Sequence, residues 1–307
     1  MAAAAALLVL CATNCTAQEW AKAALAKSPR HGEYVTIKEA SGRALQAFVV
    51  YPEVKDKAPV VLLIHEIFGE SDWFKLMADE LAGAGYIVIA PDLLSGWGPV
   101  APPMSMPGIV PKCDPMPCPA PAAEDHSHMQ MGTGAPGAAF TVAMPGGTTA
   151  FPPDQVTRAV MALDPAEVTA DLDAAADYGK KLPAANGKLF VAGFCWGGAK
   201  SFLYATHRKD LSAAFVFYGT PPPAAEMKNI SAPVYGFYAE NDARVTSTVF
   251  NTTVDMKAAG KFYDPQIYDG AGHGFMRAGE APDANAANAA ARAEGFRRLV
   301  KLLGGVR

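Results

Sequence analysis

Residues 60–90 read VVLLIHEIFGESDWFKLMADELAGAGYIVIA. Two apolar runs, residues 60–64 and 86–90, lie on either side of a helical pattern that begins after Ser71 and ends at Gly83 or Gly85. Uninterrupted β-branched and aliphatic runs are typical of strands buried on both faces of a parallel sheet. A strand, a helix and a second strand at this spacing predict a βαβ unit.

Alternating strands and helices are predicted on both sides of this stretch. Upstream, Tyr34, Thr36 and residues 43–51 predict an extended pair around a turn at Ser41 and Gly42. Downstream, the predicted elements are helix 165–181, strand 188–192, helix 197–207, strand 213–218, strand 234–238, helix 245–259, strand 266–268 and a final helix ending at residue 303. We therefore expect one α/β domain over residues 18–307, with a mostly parallel central sheet flanked by helices on both faces.

The composition narrows the class of protein and of partner. The chain has 307 residues, of which 50% are hydrophobic and 18% charged, as expected for a folded chain with a large core. The net charge is -4 without any basic run, which argues against nucleic acid and anionic membrane surfaces as partners. We find no stretch of 18 apolar residues to cross a membrane, and we expect a small-molecule partner.

The first seventeen residues carry no charged side chain and include an apolar run from Ala2 to Leu10. Cys15, Thr16 and Ala17 place small residues before Gln18, where a signal peptidase can cut. This pattern predicts a signal peptide over residues 1–17 and export to the periplasm or outside the cell. The alternative is an alanine-rich disordered tail.

Residues 96–153 interrupt the α/β pattern with an irregular insertion. Of the 25 prolines, 13 lie between Pro99 and Pro153, and the segment has little periodicity. In an exported protein Cys113 and Cys118 are expected to form a local disulfide. The alternative is a copper(I) site, because thiolate, thioether and imidazole groups are the ligands that this ion favours. Its ligands would be Cys113, Met116, Cys118, His126, His128, Met129 and Met131.

Residues 193–198, GFCWGG, lie between a predicted buried strand and a predicted helix. This is the pattern of a nucleophile elbow with Cys195 in place of serine, in which nearby glycines relieve crowding at a strained turn. The backbone NH of Trp196, at the start of the helix, can then face a developing oxyanion. The alternative is that Cys195 is only a small buried packing residue.

A thiol nucleophile needs a base, and an imidazole base needs an acidic partner. Asp242 follows the predicted strand 234–238, and His273 follows strand 266–268 within the glycine-rich loop GAGHGF. Cys195, Asp242 and His273 thus all lie at the carboxyl ends of strands, where open α/β sheets bind their ligands. We expect these three side chains to converge.

Several separated motifs resemble those of the dienelactone hydrolase family of α/β-hydrolases. They are HEIFG at 65–69, PDL at 91–93, AEND at 239–242 and HGFMR at 273–277. The resemblance implies an α/β-hydrolase fold, a catalytic triad of Cys195, Asp242 and His273, and contact between Glu66 and the resting thiol. It also implies an oxyanion hole made by the NH groups of Ile67 and Trp196, and binding of a substrate carboxylate by Arg277.

Elementary chemistry supports two of these roles independently. A carboxylate at Glu66 disfavours the thiolate of a poorly hydrated cysteine, so the thiol would rest protonated and resist oxidation. Arg277 can form a bidentate pair with a carboxylate, although a solvated arginine at a loop exit is the alternative.

The sequence departs from the family pattern after residues 91–93. Leu94, Ser95 and Gly96 stand where the family usually has a second anion-binding arginine, which makes a dianionic lactone an unfavourable substrate.

The sequence therefore predicts a hydrolase that cleaves a carboxylic ester or lactone through an acyl-enzyme on Cys195. The predicted chemistry requires no organic cofactor and no metal. The alternative function is an exported copper(I)-binding protein on an inactive hydrolase scaffold, using the Cys-, Met- and His-rich insertion.

Overall fold

The computed structural model describes residues 18–39, 41–97 and 147–306. The predicted signal peptide, the Cys113–Cys118 disulfide and the copper ligands lie outside these residues. Of the predicted insertion the structure describes only its two ends, including a short 3-10 helix over Gly147–Ala150.

Eight strands form one sheet in the order β1-β2-β4-β3-β5-β6-β7-β8. Their bounds are β1 Gly32–Lys38, β2 Ala44–Val50, β3 Ala58–Ile64, β4 Ile87–Asp92, β5 Ala185–Phe194, β6 Ala213–Phe217, β7 Val234–Ala239 and β8 Tyr263–Tyr268. The pairs β4–β3, β3–β5, β5–β6, β6–β7 and β7–β8 are parallel. The pairs β1–β2 and β2–β4 are antiparallel. This is the predicted mostly parallel sheet, with the predicted extended pair at one edge.

Helices cover both faces of the sheet, as predicted. They are α1 Glu19–Leu25, α2 Asp72–Gly83, α3 Pro153–Ala162, α4 Pro165–Lys181, α5 Trp196–His207, α6 Ala224–Met227, α7 Ala243–Thr246, α8 Val249–Ala258, α9 Phe275–Ala278 and α10 Ala286–Gly305. In β3, Val61 and Leu63 face the core shared with α2 and α10, while Val60 and Leu62 face the core shared with α4 and α5. Both faces of the strand are therefore apolar, which explains its uninterrupted hydrophobic run.

Helix α4 has both predicted bounds, and helix α2 has the predicted cap. Pro165 occupies the first turn of α4 and Asp164 caps it, because its carboxylate accepts hydrogen bonds from Ala166 N and Glu167 N. At α2, Ser71 Oγ accepts a hydrogen bond from Phe74 N at 3.3 Å. The sequence predicts these helix boundaries well, because they are set by capping side chains and a proline within a few residues of the helix start.

The prediction of a single helix over 245–259 is wrong, because the structure has α7 and α8 with a break at Ser247 and Thr248. Ser247 N and Thr248 N donate to Ala243 O and Val245 O, which closes α7 as a separate turn. The buried side chains Val245, Val249 and Met256 continue one apolar stripe across the break. That periodicity is the reason for the error.

Candidate active site

The polypeptide turns sharply at Cys195, between the last residue of β5 and the first of α5. Cys195 has a φ of 56°, in a region that non-glycine residues rarely occupy. The turn is possible because its neighbours have no side chain: a Cβ on Gly197 would lie 2.4 Å from His65 O, and one on Gly193 would lie 2.0 Å from Gly197 O. The strained turn thus places the thiol above the carboxyl edge of the sheet, half-buried.

The structure brings the three side chains predicted to converge into contact. His273 Nε2 lies 3.1 Å from Cys195 Sγ, and His273 Nδ1 lies 2.5 Å from Asp242 Oδ2. Asp242 follows β7 and is buried, while His273 lies in the loop after β8. Because a carboxylate oxygen can only accept, Nδ1 carries the proton in this pair, and the lone pair of Nε2 faces the thiol. The imidazole is therefore oriented as a base for the sulfur.

The Cys195 thiol is held in its protonated form at neutral pH. Burial and the negative charge of Glu66 raise its pKa to about 11. The backbone NH groups of Trp196 and Ile67 act in the opposite direction, since each lowers the pKa of this thiol by hydrogen bonding. These two NH groups, predicted to form an oxyanion hole, thus point to the region of the sulfur.

Glu66 forms the centre of a buried polar cluster next to the thiol. Its carboxylate accepts hydrogen bonds from Arg277 Nε at 2.8 Å and from Tyr218 OH at 3.2 Å. The Arg277 guanidinium also lies 4.9 Å from the centre of the Phe68 ring. The residue predicted to bind a substrate carboxylate is therefore engaged by a carboxylate of the protein itself.

Tyr218, predicted from the sequence only as the last residue of strand 213–218, is also part of the site. It follows β6, is fully buried and has a φ of 40°. Its ring packs edge-on against the His273 imidazole, with ring centres 5.1 Å apart. The available signal was its place at the carboxyl end of the strand next to β5, where the rule for open sheets puts ligand-binding residues.

His65 supports the segment that carries Glu66 and Ile67. Its Nδ1 donates to Glu66 O at 2.7 Å, and its ring stacks on Trp196 with centres 5.6 Å apart. Full burial lowers its pKa to about 4, so the ring is neutral at pH 7. His65 thus connects the two backbone segments whose NH groups approach the sulfur.

The part of the chain that the structure describes contains no group of three or more His, Cys, Asp or Glu side chains able to hold a metal ion. Nothing observed there favours copper(I) binding. Likewise, none of the helices within the described ranges is long and apolar enough to span a membrane.

Comparison with known proteins assigns the family. The sequence profile of the dienelactone hydrolase family matches residues 45–306. A Salmonella typhi protein provisionally named carboxymethylenebutenolidase is 26% identical over 253 residues, covering 78% of this chain and 77% of its own. The carboxymethylenebutenolidase of Pseudomonas putida is 23% identical over 251 residues, covering 80% of this chain and 86% of its own.

A solved structure shows the same fold. A Klebsiella pneumoniae protein, provisionally named dienelactone hydrolase, superimposes with a TM-score of 0.64 at 22% identity. The match covers 90% of this chain and 99% of that one, and the shared architecture is the α/β-hydrolase fold. The family match extends over most of the sheet and includes Cys195, Asp242 and His273. The chain therefore belongs to the dienelactone hydrolase family and is a hydrolase.

Proposed function

We propose that the protein hydrolyses carboxylic esters or lactones through a covalent acyl-enzyme on Cys195. The observation that carries this proposal is the unbroken series of contacts from Cys195 Sγ to His273 Nε2 at 3.1 Å and from His273 Nδ1 to Asp242 Oδ2 at 2.5 Å. A protonated thiol needs a base within hydrogen-bonding distance, and this arrangement provides one. The names of the curated relatives support the same substrate class.

In the proposed first step, Cys195 Sγ attacks the carbonyl carbon while its proton moves to His273 Nε2. The former carbonyl oxygen becomes an oxyanion, which the NH groups of Ile67 and Trp196 stabilise. The intermediate then collapses, breaking the bond to the alcohol oxygen, and that oxygen takes the proton from His273. A thioester on Cys195 and a free alcohol result; in a lactone the alcohol remains attached to the acyl group.

In the proposed second step, water attacks the thioester carbonyl and gives a proton to His273 Nε2. The carbon–sulfur bond breaks, the sulfur recovers the proton and the carboxylic acid is released. Asp242 accepts the Nδ1 hydrogen bond in both steps, which fixes the tautomer and stabilises the imidazolium. Every proton is exchanged among the thiol, the imidazole, water and the leaving alcohol.

Glu66 is proposed to hold the thiol inactive until a substrate binds. Its negative charge disfavours the thiolate, while Arg277 and Tyr218 keep its carboxylate in place beside the sulfur. We expect the substrate to be an ester, a lactone or a cyclic enol ester of a modest carboxylate, because Leu94 and Ser95 are buried and provide no cation next to β4.

The test is a comparison of Cys195→Ala and Cys195→Ser with the wild-type chain on a panel of lactones and 4-nitrophenyl esters. Cys195→Ala should lose roughly a thousandfold or more in kcat with an unchanged circular dichroism spectrum. Mass spectrometry of the quenched wild-type enzyme should find the acyl group on the peptide containing Cys195, and Cys195→Ser should retain a slower acylation of residue 195. Wild-type rates in Cys195→Ala would contradict the mechanism.

A further inference from the structure

The charged side chains around the thiol are mostly paired with one another. Arg277 pairs with Glu66, and His273 pairs with Asp242. Arg244 differs, because within the described ranges no carboxylate lies within 4.0 Å of its guanidinium. Its side chain is exposed to solvent. A cation in this state is available to a ligand.

The backbone of Arg244 is firmly attached to the catalytic edge of the sheet. It is the second residue of α7, which begins directly after Asp242. Val245 N and Thr246 N donate to Asp242 O at 3.1 and 2.8 Å, and Thr246 Oγ1 donates to Ala239 O at 2.6 Å. Two residues along a helix separate positions by about 3 Å along its axis, so Arg244 and Asp242 are close neighbours.

The charge of Arg244 reaches the nucleophile. Its positive charge favours the thiolate and lowers the pKa of the Cys195 thiol, opposing the larger effects of burial and Glu66. A Coulomb effect of this kind has a limited range, which agrees with the short sequence distance between Arg244 and Asp242. The geometry that carries the inference is the place of Arg244, exposed and two residues after Asp242, at the same edge of the sheet as the thiol.

Arg43, whose side chain reaches the loop after β4, is already engaged. Arg43 pairs with Asp171 and, at 2.9 Å, with Glu39, and its Nη1 donates to Ser95 O at 2.8 Å. Glu167 also lies 4.0 Å from its guanidinium, so Arg43 is held against the protein and is not available to a ligand. Arg244, after β7, differs from Arg43 because within the described ranges no carboxylate pairs with it.

We propose that Arg244 binds an anionic group of the substrate, a carboxylate a few bonds from the scissile carbonyl, and so determines a preference for anionic over neutral esters. This inference rests on the proposed function, since it assigns a substrate class to the same thiol. It adds an anion-binding position beside Asp242, separate from the Arg277–Glu66 pair.

Alkylation of Cys195 tests the inference without requiring turnover. Iodoacetate and iodoacetamide both form a carbon–sulfur bond with loss of iodide, and they differ in a carboxylate against a neutral amide. Mass spectrometry of the peptide that contains residue 195 gives the rate constant for each reagent. The rate constant for iodoacetate divided by that for iodoacetamide is independent of the amount of thiolate, because both reagents react with the same thiolate. This ratio should fall roughly tenfold in Arg244→Gln and be largely retained in Arg244→Lys.

Arg297→Gln is the matched control, because it removes one exposed positive charge from α10. Its neighbour Arg298 contacts Gly236 O and Asp264 O, near the amino ends of β7 and β8, so this helix surface lies away from the thiol. The alkylation ratio in Arg297→Gln should equal that of the wild type. An unchanged ratio in Arg244→Gln, or an equal fall in both variants, would overturn the inference.

Ester hydrolysis separates the failure of this inference from the failure of the proposed function. For 4-nitrophenyl hemisuccinate against 4-nitrophenyl butyrate, Arg244→Gln should lower the ratio of kcat/KM values roughly tenfold, mainly through a higher KM for the anionic ester. Hydrolysis of both esters with an unaltered ratio would reject Arg244 and retain the hydrolase mechanism. A fall in the alkylation ratio without any ester turnover would retain the anion site and reject the mechanism.

Discussion

At the residue scale, opposing electrostatic effects act on the sulfur of Cys195. Burial and Glu66 raise the pKa of its thiol to about 11, while two backbone NH groups and Arg244 lower it. The balance favours a thiol at rest, and in the proposed mechanism His273 deprotonates it when a carbonyl carbon is placed to accept the sulfur. A resting thiol also reacts slowly with oxidants, because the thiolate is the reactive form.

Glu66→Gln should make the thiol more acidic. Removing the negative charge favours the thiolate, so the thiol pKa falls from about 11 and the alkylation profile moves to lower pH. We expect the rate with iodoacetamide at pH 7 to rise roughly tenfold. The measurement is the rate of carbamidomethylation of Cys195 from pH 6 to 11.

The matched control for this prediction is Glu53→Gln. Glu53 is an exposed acidic residue in the loop before β3, at the opposite end of that strand from Glu66. Its substitution should leave the alkylation profile in place. A profile for Glu66→Gln that coincides with the wild type would show that Glu66 does not set the state of the thiol.

At the element scale, the turn between β5 and α5 is fixed by close backbone packing. Gly197 lies against the ends of β3, where a Cβ would approach both Ile64 O and His65 O within 2.4 Å. The His65 ring stacks on the Trp196 ring, so side chains also connect the loop after β3 with the start of α5. Helix α5, strand β5 and the loop after β3 therefore position the thiol and the two NH groups as one unit.

Gly197→Ala should disrupt this unit, because backbone atoms cannot move aside as a flexible side chain can. We expect a loss of about 3 kcal/mol in the free energy of unfolding, measured by urea denaturation, together with loss of activity. Gly305→Ala, at the end of α10, is the control, since a Cβ there meets nothing within 4 Å. Equal stability of the two variants would refute this account of the turn.

At the scale of the whole molecule, a partly buried ion pair attaches the segment before β1 to helix α2. Arg30, in the loop between α1 and β1, donates through Nε to Asp79 Oδ1 on α2 at 3.0 Å, and Ser28 Oγ donates to the same oxygen at 2.6 Å. Asp79 is almost fully buried, so these hydrogen bonds replace those that water would give its carboxylate. The segment is thereby fixed to α2 through chemistry that no local pattern reveals.

Arg30→Ala should lower the free energy of unfolding by about 3 kcal/mol, because it leaves the Asp79 carboxylate buried without its cation. Lys180→Ala, which removes a solvent-exposed pair with Asp210, should cost less than about 1 kcal/mol. Urea denaturation at pH 7 measures both. Adding Asp79→Asn to Arg30→Ala should recover part of the loss, and no recovery would contradict the role assigned to the buried charge.

We also propose that residues 1–17 are a signal peptide, removed when the protein is exported. The physical basis is the uncharged apolar run followed by small residues before Gln18. In a Gram-negative host, the periplasmic protein should begin at Gln18, as determined by intact mass and amino-terminal sequencing. Leu8→Arg places a charge in the apolar run and should leave the chain unprocessed; an intact Met1 on the exported wild type would reject the proposal.

The sequence by itself determined the fold class and the strand ends at which the candidate site lies. The buried runs in β3 and β4, the Ser71 cap and the proline at the start of α4 are local signals, and the structure has each element where they indicate. The alternation of strands and helices placed Cys195, Asp242 and His273 at one edge of the sheet. Local periodicity encodes which face of an element is buried, which was enough for the fold class but not for the break between α7 and α8.

Only the tertiary structure decided which side chains meet at that edge. Glu66 and Arg277 are 211 residues apart, and their contact depends on β3 lying next to β5 and on the course of the loop after β8. The same holds for Tyr218 beside His273 and for Arg244, which pairs with no carboxylate among the described residues. Sequence spacing cannot give these contacts, because a side chain at a strand end can point towards several neighbours, and the order of the strands and the packing of the loops select one.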